Sequence, residues 1–103
     1  MSQEVKIWKA DWNLRPKTKF IHVEGTVMGM SFADTVEVDR AEPQGINPNI
    51  LLLNARVVDG QGPMKPQPVP FYFADVTMGD EPWTHVQVEC DGESATFPIS
   101  KNS

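Results

Sequence analysis

Along most of the chain apolar and polar side chains alternate one by one, and the recurrence every three to four residues that marks an amphipathic helix does not occur. This odd–even pattern predicts strands near 4–10, 18–28, 34–41, 49–58, 70–78, 84–90 and 93–99. The segments between them carry turn chemistry: Arg15-Pro16, Glu42-Pro43-Gln44-Gly45, Asn47-Pro48, Asp59-Gly60-Gln61-Gly62-Pro63, Gly79-Asp80-Glu81-Pro82 and Asp91-Gly92.

The last of these gives the sharpest expectation. A type I′ turn needs positive φ at both central residues, and Asp-Gly suits it. Folding the chain about Asp91-Gly92 pairs Cys90 with Glu93, Val88 with Ala95, Val86 with Phe97 and Thr84 with Ile99. Val86, Val88, Ala95, Phe97 and Ile99 then share one face, and His85, Gln87, Glu89, Ser94 and Thr96 the other. A slip of one residue would mix the two sets.

Two segments break the alternation. Ile50-Leu51-Leu52-Leu53 is apolar at every position, which predicts a central strand or one whose outer face meets another subunit, as in a homodimer. Between Pro63 and Pro70 every proline lacks a ladder donor, so this stretch is expected as a polyproline-like connection or an edge, anchored by Phe71-Tyr72-Phe73.

About seven short strands without helices must bury their apolar faces against another sheet. The expected fold is therefore all-β: an antiparallel two-sheet β-sandwich, immunoglobulin-like or fibronectin-like, with a small β-barrel as the alternative. The 103 residues suit one domain spanning 1–103, and a chain of this length buries roughly two-thirds of its unfolded surface.

A net charge of −5 argues against nucleic acid as the general partner. The charge is uneven, with Lys6, Lys9, Arg15, Lys17 and Lys19 all within the first nineteen positions. Cys90 is the sole cysteine, so no internal disulfide forms and the usual zinc thiolates are missing. The start has no apolar signal segment, and no run approaches bilayer length, so the expectation is a cytoplasmic protein without membrane contact.

No nucleophile elbow, phosphate loop or metalloprotease motif occurs. His85 and Cys90, five residues apart on a strand, point to opposite faces, which disfavours a shared metal ion. Neither a cofactor nor catalytic residues are expected. Asp34, Glu37, Asp39 and Glu42 read as a solvated acidic strip. From Lys6 to Phe20 cations interleave with aromatics, a pattern that suits an acidic partner or the stacked bases of a single strand. The expected function is a non-enzymatic protein-binding or accessory module, with contact at Trp8, Trp12, Arg15 and Lys17 and a further contribution from Trp83. A small-ligand or single-stranded nucleic-acid module is the alternative, and a hydrolase-like enzyme the third reading.

Overall fold

The computed structural model describes residues 4–15, 18–31, 33–42 and 44–102, with Thr18 described by its backbone only. Among these residues there are eight strands and no helix, so none that is long and apolar enough to cross a membrane. β1 (Val5–Arg15), β2 (Thr18–Ser31), β5 (Met64–Val76) and β8 (Ser100–Asn102) form a first sheet in the order β5-β2-β1-β8. β3 (Thr35–Arg40), β4 (Ile50–Val58), β6 (His85–Cys90) and β7 (Glu93–Pro98) form a second in the order β3-β4-β6-β7. The two pack together as a sandwich, and neither closes into a barrel.

The pairings are mostly antiparallel, as expected, but β4 pairs with β6 and β1 with β8 in parallel. The reason is connectivity. Between β4 and β6 the chain crosses to the first sheet as β5, and two crossings bring it back pointing the way it left. A single residue, Ile99, separates β7 from β8, so that strand passes from one sheet to the other without turning back. The order also differs from the constant-type immunoglobulin arrangement, where the fourth strand pairs with the fifth.

The hairpin of β6 and β7 has the expected register, Cys90↔Glu93 through Val86↔Phe97, and Ile99 N–H donates to Thr84 O at 2.9 Å. Asp91 and Gly92 have φ of 54° and 86°, as a type I′ turn requires. β4 is central, between β3 and β6, with Leu51 and Leu53 fully buried. The proline stretch forms the first half of β5, an edge strand paired with β2 alone. Backbone donors alternate sides along a strand, so Pro66, Pro68 and Pro70, which share one parity, leave the other parity to bond β2.

β1 runs five residues further than the alternation suggests. Its register with β2 slips between Ile7 and Lys9, making Trp8 a bulged residue and inverting the odd–even phase beyond it. Val5 therefore points inward before the bulge, and Ala10 and Trp12 after it. Opposite, Gly25 pairs with Phe71, and a Cβ there would lie 2.0 Å from Lys6 O and 2.7 Å from the Phe71 ring. No side chain fits at that crossing.

Between the sheets Ile21, Val23, Val27, Leu51, Leu53, Val86 and Val88 are wholly shielded from solvent, each worth roughly 1.5–3 kcal/mol of transfer free energy. One end of this core is closed by a stack. Trp12 and Trp83 lie 5.1 Å apart, with the Arg40 guanidinium 5.2 Å from Trp83 and the Lys101 ammonium 5.5 Å from Trp12. Trp12 Nε1 donates to Thr77 Oγ1 at 2.9 Å, and Arg40 Nε lies 2.9 Å from Asp75 Oδ2, joining the edges β3 and β5.

Asp34 does not belong to the solvated acidic strip. It is buried, and its carboxylate accepts the N–H groups of Met30, Ser31 and Gly60 at 2.9, 3.1 and 3.1 Å. It thereby pins the turn after β2 to the loop after β4. Glu37 and Asp39 do face solvent, and Glu37 pairs with Arg56 across the strand.

Candidate binding face

The two outer faces of the sandwich differ in chemistry. On the second sheet Thr35, Glu37, Asp39, Asn54, Arg56, Gln87, Glu89, Ser94 and Thr96 make a polar surface in which Glu37 and Arg56 satisfy one another. Ile50 and Leu52, both half-buried, interrupt it beside the fully exposed Ile46, and the three line a small apolar concavity with Gln87 and Glu89. There the Gln44 amide substitutes for a strand residue: Nε2 donates to Leu52 O at 2.9 Å, and Leu52 N–H donates to Oε1 at 2.9 Å.

On the first sheet the outward positions of β2 are Phe20, His22, Glu24, Thr26, Met28 and Met30. The register places Val76 and Asn13 beside Phe20, Ala74 and Asp11 beside His22, Tyr72 and Lys9 beside Glu24, and Pro68 beside Met28. His22 packs diagonally on Tyr72, ring centres 4.6 Å apart at 51°, and its Nε2 lies 3.2 Å from Glu24 Oε2. Tyr72 itself is 62% exposed. The outcome is a band of aromatic, methionine and proline side chains along β2 and β5, bordered by the charged residues of β1. Large amphipathic side chains of this type concentrate at interfaces because they bury much area at little entropic cost.

Where β1, β2 and β8 meet, the band runs into an open concavity of about 480 Å³ lined by Asp11, Asn13, Arg15, Phe20, His22, Lys101 and Asn102. Asn13 Oδ1 accepts the Arg15 backbone N–H at 3.0 Å, holding the strand end in shape, while the Arg15 side chain is exposed.

The residues expected to make contact therefore separate. Arg15 lines the concavity, and Trp8, 54% exposed at the bulge, lies on the same strand. Trp12 and Trp83 are corrected to core residues, 1% and 7% exposed, because the bulge turns Trp12 inward to stack on Trp83. Lys17 lies outside the described residues. Phe20 belonged to the cation–aromatic run, whereas His22, Met28, Met30, Tyr72 and Lys101 were missed as contacts. A signal for Met28 and Met30 existed, since apolar residues fall on both parities at that end of β2, where Met28 follows Val27 directly; His22, between polar neighbours of its own parity, gave none. Lys101 carries no such signal, since β8 is too short for periodicity.

His22 and His85 occupy the outer faces of opposite sheets, and Cys90 is buried between them, where burial pushes its thiol pKa up. His85 Nδ1 lies 2.9 Å from Thr84 Oγ1, a contact within adjacent residues at the surface. Among the described residues no three His, Cys, Asp or Glu side chains gather as a metal site. Compared with known protein families, with curated proteins and with solved structures, the chain shows no significant match.

Proposed function

We propose that this chain is a non-enzymatic, cytoplasmic accessory module that binds a partner protein through the outer face of its first sheet. The observation that carries this is a difference between the two faces. The second is mostly polar and partly self-paired, with a small apolar concavity at Ile46, Ile50 and Leu52. The first carries a longer aromatic–methionine–proline band running into a concavity beside the exposed Arg15. The separation of His22, His85 and Cys90 supports a role without nucleophilic catalysis. A chain with a single cysteine also fits a reducing compartment.

Quantitative affinity capture from the source cells tests the assignment. Tyr72→Glu combined with Phe20→Ser should lose the partners that wild type retains, whereas Glu37→Lys with Asp39→Lys on the second sheet should keep them. The opposite result places the interface on the wrong face.

A second reading, a small-ligand or single-stranded nucleic-acid module, is favoured by one feature: Phe20 offers a stacking surface next to Arg15. It requires a change in Trp8 fluorescence on titration with oligonucleotides or metabolites, with steep salt dependence for an anion. A flat titration removes it.

A further inference from the structure

An edge strand presents a row of backbone groups that bond to water or to another chain. Which groups these are on β5 follows from its last bond to β2, where Thr77 N–H donates to Lys19 O at 3.0 Å. Bonding residues alternate along an antiparallel pair, so Phe71, Phe73 and Asp75 bond to β2. Pro68, Pro70, Tyr72, Ala74 and Val76 turn their backbone groups to the open side. Pro68 and Pro70 have no N–H to offer, and Val76 N–H donates to Asp75 Oδ1 at 2.9 Å. The open edge therefore carries donors at Tyr72 and Ala74, and acceptors along its whole length.

β3, the edge of the second sheet, lies on the same side of the sandwich, joined to β5 by the ion pair of Arg40 and Asp75. Ala41 N–H donates to Leu52 O at 3.0 Å, so by the same alternation Val38 and Arg40 also turn their backbone groups outward. Between the two edges opens a concavity of about 590 Å³, lined by Val38 to Arg40 and by Tyr72 to Asp75.

We propose that the open edge of β5 from Tyr72 to Val76 receives an extended, non-acidic segment of the partner protein as a further strand of the first sheet. The proposal rests on the first sheet carrying the partner site, and names the form in which the partner arrives.

Donors and acceptors alternating in one row match a polypeptide backbone. The prolines limit where it can pair: before Phe71 the row offers acceptors alone, so the added strand is short and centred on Tyr72 and Ala74. Its outward side chains would lie beside Tyr72 and Val76, 62% and 78% exposed, and lengthen the apolar band. Its inward side chains would lie beside Phe73, on the side of the concavity lined by Val38. Two chains of charge −5 repel, which disfavours a second copy as the occupant and favours a segment without carboxylates. β7 also has open donors, at Ser94 and Thr96, because Ile99 N–H bonds to Thr84 O. Its outward side chains, Ser94, Thr96 and Pro98, offer a partner little area to bury.

Amide hydrogen exchange of the full chain, read by NMR, tests the proposal with three probes. These are a blocked peptide alternating Val and Lys, its Glu counterpart, and the Val–Lys peptide N-methylated at every residue. The Tyr72 and Ala74 amides should exchange fast in the free protein and slow when the Val–Lys peptide is added. The Glu peptide should act more weakly and the N-methylated one not at all. Ala74→Pro has the parity of Pro68 and Pro70, so β2 keeps its bonds and the remaining spectrum should be preserved. It should weaken the Val–Lys peptide at least about tenfold, because it removes a donor and sets a ring in the added strand's path. Thr96→Pro, the same change on the β7 edge, should leave binding as it was. The N-methylated peptide carries the test even where a proline variant fails to fold.

Unchanged exchange at Tyr72 and Ala74 up to millimolar Val–Lys peptide overturns the proposal, as does equal binding of either control peptide. Slowing at these amides that grows with protein concentration alone identifies a second copy as the occupant and overturns it too. If the N-methylated peptide still shifts Phe20, His22 and Tyr72, the binding-face reading stands and strand addition falls. Protection confined to Ser94 and Thr96 removes both.

Discussion

At the scale of single residues, the polar groups that matter for folding are those that burial leaves without alternatives. Trp12 is almost wholly buried, and its indole N–H has Thr77 Oγ1 as its acceptor. Thr77→Val keeps the shape and removes the acceptor, so it should cost about 1–3 kcal/mol, the penalty of an unsatisfied buried donor. Denaturant unfolding measures this, and a neutral result would mean water reaches the indole. Asp34 is the second case. The Gly60 N–H, followed by those of Met30 and Ser31, holds its pKa below the ordinary aspartate value, outweighing the opposing effect of burial. A depressed native pKa gives stability that is complete above the ordinary value of about 4 and is lost as pH falls through the native one. Wild type should therefore lose melting temperature more steeply than Asp34→Asn below about pH 4. At neutral pH the variant should be the less stable protein, since an amide nitrogen cannot accept those N–H groups. Parallel acid limbs would show that the carboxylate makes no such contribution.

At the scale of elements, parity decides most outcomes. In the β6–β7 hairpin Val86 is fully buried while the adjacent His85 is exposed. Val86→Asp should unfold the domain, a loss of about 4 kcal/mol or more, because an unpaired carboxylate would enter the core. His85→Asp should leave the melting temperature nearly unchanged, and the reverse ranking would mean the faces are inverted. The same parity explains which parts of the fold were legible. The hairpin was readable because turn chemistry and alternation agree there, and the edge position of the proline stretch followed from missing donors. The far half of β1 was not, because one bulged residue, Trp8, reverses the phase and makes Trp12 look outward. The parallel pairings of β4 with β6 and of β1 with β8 have no local signature, since they arise from which sheet the chain visits in between. The binding face was only half legible for a related reason. Phe20 and Arg15 lie in one run, but His22 and Tyr72 come together only through the pairing of β2 with β5.

At the scale of the whole molecule, the sheets are held by more than the aliphatic layer between them. The stack of Lys101, Trp12, Trp83 and Arg40 begins on β8, passes through β1 and the segment before β6, and ends on β3, where Arg40 meets Asp75 of β5. Each cation–ring contact is worth a fraction of a hydrophobic side chain, on the order of 0.5–1 kcal/mol where solvent reaches the cation. The tryptophans dominate through the area they bury. Because one stack touches both sheets, neither has an independent core, and unfolding should be a single transition by far-UV and near-UV circular dichroism. Trp83→Ala should lower stability by roughly 3–5 kcal/mol while preserving that coincidence, since its loss opens a cavity shared by the two sheets. A variant in which the near-UV signal melts well before the far-UV signal would show that one sheet holds its strands without the other. The end of the sandwich beneath the concavity at Arg15 would then be a detachable cap, and the shape of that concavity would depend on whether the cap is closed.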